Sequence, residues 1–153
     1  MSGNEKRTKI LMLAPVPLAP FLTSLPLPLH GRLVPAGFPS PADDYLEGEI
    51  DLATFLIERP AATFVMRVSG HSMTGAGILD GDFIIVDRSV KARSGHVVVA
   101  VCNGDMTIKR LHVIARGRAV LRAEHPDFPE FEICEENPAE VWGVVVATFR
   151  KTL

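Results

Sequence analysis

The chain has 153 residues, 47% of them hydrophobic and 22% charged, with a formal net charge of −2 at pH 7. That balance suits one globular domain with a core and excludes the strongly basic footprint of a general nucleic-acid binder. No run of about 18 apolar residues occurs, so no membrane span is expected, and a cytoplasmic location is. Cys102 and Cys134 lack metal or redox spacing and read as buried free thiols of a reducing compartment.

The N-terminal stretch is set apart by proline. Eight of the twelve prolines fall at 15, 17, 20, 26, 28, 35, 39 and 41. Proline lacks an amide N–H and breaks both helices and sheet ladders, so residues 1–41 read as an extended, apolar arm of polyproline II character. Lys6, Arg7 and Lys9 ahead of "ILMLAPVPLAPFL" have the charge pattern of a secretory signal, but Pro15, Pro17 and Pro20 interrupt its apolar core. Residues 1–36 carry a formal +3 against −5 for the remainder, so arm and body attract. The expected division is an arm over 1–43 and a folded domain over 44–153.

In "EIDLATFLIERP", Asp51 is placed to cap a short helix near 52–58 that Pro60 stops. "TFVMRVSG" alternates as a half-buried strand, with Phe64, Met66 and Val68 facing one way. "DFIIVD" reads as a strand buried on both faces. In "HVVVAVCNGDMTIKRLHVI", Asn103-Gly104 between β-branched runs predicts a hairpin with a two-residue type I′ turn. A second reversal falls at Gly117, and "EVWGVVVATFRK" is a last strand. The domain is therefore expected to be mainly β, with one or two short helices.

The hairpin fixes a register: Cys102 opposite Asp105, and onward to Val98 opposite Lys109. Lys109 then shares a face with Thr107 and Leu111 in mid-strand. Desolvation among apolar neighbours lowers an amine's pKa, and a neutral amine accepts a proton. A serine hydroxyl needs such a base to act as a nucleophile. The chain offers Ser72 in "SGHSMTGAGI", where glycines permit a tight exit from a strand and an open path to the hydroxyl. Backbone N–H groups of that turn are candidate oxyanion donors. On pattern alone, a serine in a glycine-rich turn is as readily a plain turn residue, and a strand lysine as readily a solvent-facing one with a packed stem. His71 reads as a turn residue, and no other histidine stands in a triad context. No metal-ligand spacing exists, and "GAGILDG" lacks the Lys-Ser/Thr of a phosphate loop, so no metal, cofactor or nucleotide is expected.

"SGHSMTGAGILDGDFIIVD" followed by "GDMTIKRL" resembles the LexA/UmuD family of Ser–Lys self-cleaving peptidases, whose motifs read SG-x-SM, GI-x-x-GD, IVD and TVKRL. The similarity extends from about Gly37 to the C-terminus. It implies a LexA/UmuD-type curved β-sheet domain behind the extended Pro-rich arm. It also implies Ser72 as nucleophile, Lys109 as general base, and the backbone N–H groups of His71 and Ser72 as the oxyanion hole. "AGFPSPADDYLEGEIDL" is similar to the UmuD cleavage region and puts the scissile bond at Ala36-Gly37, with alanine where UmuD has cysteine. Partners implied are a second copy of the chain, a RecA filament on single-stranded DNA and a Y-family translesion polymerase. A LexA-like repressor is disfavoured because a Pro-riddled arm ending at 36 cannot pack a helix-turn-helix, so no sequence-specific DNA binding is expected. A signal-peptidase-like enzyme acting in trans is disfavoured because its relatives are membrane-anchored.

Overall fold

The computed structural model describes residues 24–30, 34–38 and 46–153. Strands β1 (Pro26–His30) and β2 (Leu46–Asp51) form an antiparallel pair, followed by helix α1 (Leu52–Leu56). The remaining strands are β3 (Thr63–Arg67), β4 (Phe83–Asp87), β5 (Val97–Cys102), β6 (Asp105–Ala115), β7 (Arg118–Arg122), β8 (Phe131–Ile133) and β9 (Ala139–Phe149). They make one antiparallel sheet in the order β3-β4-β9-β5-β6-β7-β8. The expectation of a mainly β domain with one or two short helices is borne out.

The sheet carries apolar clusters on both faces because consecutive residues of its central strands point opposite ways. Val99 and Ile108 belong to a cluster with Met66, Met73 and Ile84, whereas Val98 and Ala100 belong to one with Leu111 and Leu121. Two register shifts displace β9 by one residue against β4 and against β5. Bulges of this kind bend a strand and increase its twist, which curves the sheet.

The hairpin has the expected register at every pair, from Cys102 opposite Asp105 to Val98 opposite Lys109. Its turn has Asn103 at φ 52° and Gly104 at φ 81°, the two positive angles that a type I′ turn requires. β3 and β4 bury the predicted residues: Phe64 and Met66 on one, Ile84, Ile85 and Val86 on the other. The reversal at Gly117 separates β6 from β7.

Three expectations change. Proline does not keep the arm out of a sheet: Pro26-Leu27-Pro28 pairs with Glu49, Ile50 and Asp51 of β2. Pro-x-Pro spacing puts both missing N–H groups on one side of the strand, and a two-stranded ribbon leaves one side of each strand unpaired. Helix α1 is capped by the Asp51 carboxylate accepting from Ala53 N–H at 3.1 Å, as predicted, but closes at Leu56 and leaves Leu52 and Phe55 exposed. The two cysteines are half-buried rather than sealed in the core.

Candidate active site

The segment between β3 and β4 is a closed loop, because Val68 N–H donates to the Asp82 carbonyl and Gly81 N–H donates to the Val68 carbonyl. Inside it, Gly70 N–H donates to Asp80 Oδ1 at 2.7 Å, and Met73 is 1% exposed, plugged into the core. Ser72 is therefore held between a tied backbone and a buried anchor. The 3-10 turn Thr74–Ala76 follows, with both the N–H and the hydroxyl of Thr74 donating to the His71 carbonyl. Gly75 answers for one of the glycines: a Cβ there would lie 2.5 Å from the backbone oxygen of Glu124.

Ser72, 0% exposed, and Lys109, 9% exposed, meet although they are 37 residues apart: Lys109 Nζ lies 2.9 Å from Ser72 Oγ. The amine also donates to Thr107 Oγ1 at 3.0 Å and to the Ile108 carbonyl at 3.1 Å. Thr107 is on the same face of β6 two residues earlier, and its hydroxyl fixes the amine laterally. Burial lowers the Lys109 pKa from 10.5 to about 8, opposed by the neighbouring Cys102 thiol. Burial in turn raises the thiol's own pKa.

Two groups that sequence reasoning missed hold this arrangement from distant parts of the chain. Arg150, at the end of β9, donates through Nε and Nη2 to both oxygens of Asp82 at 2.7 and 2.8 Å, and through Nη2 to the Gly77 carbonyl at 2.7 Å. Its hydrogen bond, against the cost of burial, holds the Asp82 carboxyl below the usual carboxylate range. Glu124, just past β7, donates its N–H to the Ser72 carbonyl and accepts the Gly75 N–H, each at 2.8 Å. Only "GD" within the motif hinted at Asp82; no local signal marks its partner Arg150, or Glu124.

The other expected site residues are placed as follows. His71 has an exposed side chain, and its backbone is in the serine turn. His96 and His125 accept through Nδ1 from Arg93 and Asp127 N–H in their own turns. Ala36 and Gly37 lie in an exposed bend with Phe38 at 93% exposure, and a Cβ on Gly37 would meet nothing within 4 Å. Among the described residues, none packs on Gly37 and the segment is exposed. Among the described residues no group of three or more His, Cys, Asp or Glu could hold a metal ion, and no helix is long and apolar enough to cross a membrane.

A buried amine against a buried alcohol, on a curved β-scaffold beside a glycine-rich turn, is a pairing in which a serine hydroxyl can be activated as a nucleophile. Comparison with known proteins agrees: residues 28–146 match the family model described as Peptidase S24-like, and the chain belongs to that family of self-cleaving serine peptidases. It is 43% identical over 125 residues to the protein ImpA of Escherichia coli, covering 82% of this chain and 84% of that one. It is 42% identical over 120 residues to the protein MucA of Salmonella typhimurium, covering 78% and 81%. The LexA repressor of Bordetella pertussis is 37% identical over 131 residues, 86% of this chain and 59% of the repressor. Within the LexA/UmuD group the chain is a UmuD-like member, as the motifs implied.

Proposed function

We propose that this chain is a self-cleaving SOS mutagenesis protein that cuts its own Ala36-Gly37 bond with a Ser72–Lys109 dyad. The observation that carries this reading is the 2.9 Å contact between the Lys109 amine and the Ser72 hydroxyl, both shielded from water. A neutral amine has two hydrogens and one lone pair. Three oxygens surround Nζ, so the hydrogens suit Thr107 Oγ1 and the Ile108 carbonyl, and the lone pair is left for the Ser72 proton.

In the first step the Ser72 proton passes to Lys109 as Oγ bonds to the Ala36 carbonyl carbon. The resulting oxyanion is met by backbone N–H groups of His71 and Ser72. The Ala36–Gly37 C–N bond then breaks, with the Lys109 ammonium returning its proton to the Gly37 amine. A water, deprotonated by Lys109, releases Ala36 from the serine ester and restores both groups. Extended substrate suits the outer edge of β3, the last strand of the sheet and the one that leads into the serine turn.

Because Ala36-Gly37 lies in an exposed bend, cutting requires a conformer in which that bend moves onto Ser72. A partner that binds this conformer better raises its population and the rate. We assign that role to a RecA filament on single-stranded DNA, acting on a cytoplasmic protein. The shortened chain then pairs with a second copy and serves a Y-family translesion polymerase. Identity of 43% to ImpA and 42% to MucA, against 37% to the LexA repressor, favours this assignment over a repressor. The test is incubation of the full chain with RecA, ATP and single-stranded DNA, followed by intact-mass measurement. A fragment beginning at Gly37, lost in Ser72→Ala, is expected; a different new terminus, or cutting by the Ser72→Ala chain, refutes the proposal.

A further inference from the structure

Resting on that reading, we infer that Arg110 and Glu124 are positioning residues, a tether that keeps the Ser72 turn within hydrogen-bonding reach of Lys109. Arg110 follows Lys109 directly on β6, so the two side chains leave opposite faces of the strand. The Arg110 Nε donates to Glu124 Oε1, and Nη1 donates to the Gly95 carbonyl at 2.7 Å. The backbone of Glu124, in turn, is what grips the serine turn, on one side at the Ser72 carbonyl and on the other at Gly75 N–H. Consecutive residues of β6 thus reach the same turn by two routes: Lys109 at the hydroxyl itself, Arg110 through Glu124.

The pairing is selective. Arg110 stands opposite Arg122 on β7, and like charges facing each other across a ladder repel. Each has its own carboxylate: Glu124 for Arg110, Glu130 for Arg122. The Arg110 and Glu124 side chains are each 29% exposed, whereas Arg122 and Glu130 are each about half exposed. The second pair, which joins the end of β7 to the start of β8, serves as an internal control of like chemistry. With the first pair broken, Glu124 loses its hold on β6, the turn lifts, and water reaches the Lys109 amine. A serine displaced by even an ångström from its base loses much of its rate.

The experiment compares the full chain with Glu124→Gln, Arg110→Ala, Arg110→Lys and the control Glu130→Gln. Self-cleavage without RecA is followed by intact mass across pH. The Lys109 amine is titrated separately by NMR of labelled lysine ε-carbons, in chains carrying Gly37→Val to block cutting. Glu124→Gln and Arg110→Ala are expected to slow cleavage at least ten-fold. Both midpoints should move alkaline by about one pH unit, because a rehydrated amine regains basicity. Arg110→Lys should recover part of the loss, and Glu130→Gln should match the parent. A rate reduced by one factor at every pH with the midpoint unmoved would be ordinary loss of folded protein and overturns the tether. No change in rate or midpoint overturns it as well. A parent chain that never shows Ser72-dependent cutting sinks the proposed function, while the NMR midpoints still decide the tether.

Discussion

Raising the pH should switch on self-cleavage in the isolated chain, with a midpoint set by one amine. With the Lys109 pKa lowered to about 8, the neutral fraction is about 9% at pH 7, half at pH 8 and about 90% at pH 9. The first-order rate should therefore rise about ten-fold from pH 7 to pH 9 and level off above that. An unshifted lysine at 10.5 would be neutral in only about 0.03% of molecules at pH 7. Burial thus enlarges the neutral fraction by about 300-fold at pH 7. On the proposed mechanism, docking of the bend precedes cutting and scales the absolute rate, but residues 34–38 (Val-Pro-Ala-Gly-Phe) contain no ionisable side chain to move the midpoint. The assay is intact-mass quantification of the Gly37–Leu153 fragment over time in buffers of constant ionic strength. A rate flat from pH 7 to pH 9, or one still climbing steeply past pH 10, refutes the reasoning.

The same shift has a cost in stability. The folded amine titrates near 8 and the unfolded one near 10.5, so the unfolded chain binds more protons between these values and stability rises with pH across that window. Lys109→Met should abolish cutting while leaving the thermal midpoint at pH 7 equal to or above the parent's; a clear fall shows that the three amine hydrogen bonds outweigh desolvation. Gly75→Ala forces a methyl group against the Glu124 carbonyl and should cost about 1–3 kcal/mol in urea unfolding, with slower cutting; an unchanged chain refutes the close approach. Arg150→Ala should lower the urea midpoint at pH 7, because the buried Asp82 carboxylate loses two hydrogen bonds. The Asp82 carboxyl is depressed by Arg150, so the contribution is full above about pH 4 and is lost as the pH falls through the folded value. The gap between parent and variant should close in acid; a constant gap means that the pair does not act through charge.

Local chemistry explains what could be read in advance. Asn103-Gly104 demands two positive backbone angles, and once that turn is placed, every pair of β5 and β6 follows by counting, Lys109 opposite Val98 included. The short helix was legible from its Asp51 cap, although its exposed apolar side was not. Pro26 and Pro28 misled, because proline's prohibition applies to the side of a strand that is paired and not to the residue as such.

From its own order of residues the chain determined its strands, its turns, and which alcohol and which amine stand as candidates for chemistry, since each depends on neighbours a few positions away. Only the folded sheet decided that Ser72 and Lys109 touch, that water is kept from the amine, and that Arg150 and Glu124 brace the serine turn. Those relations join segments dozens of residues apart, and a distance or a dielectric environment between such segments exists only once the chain has closed on itself.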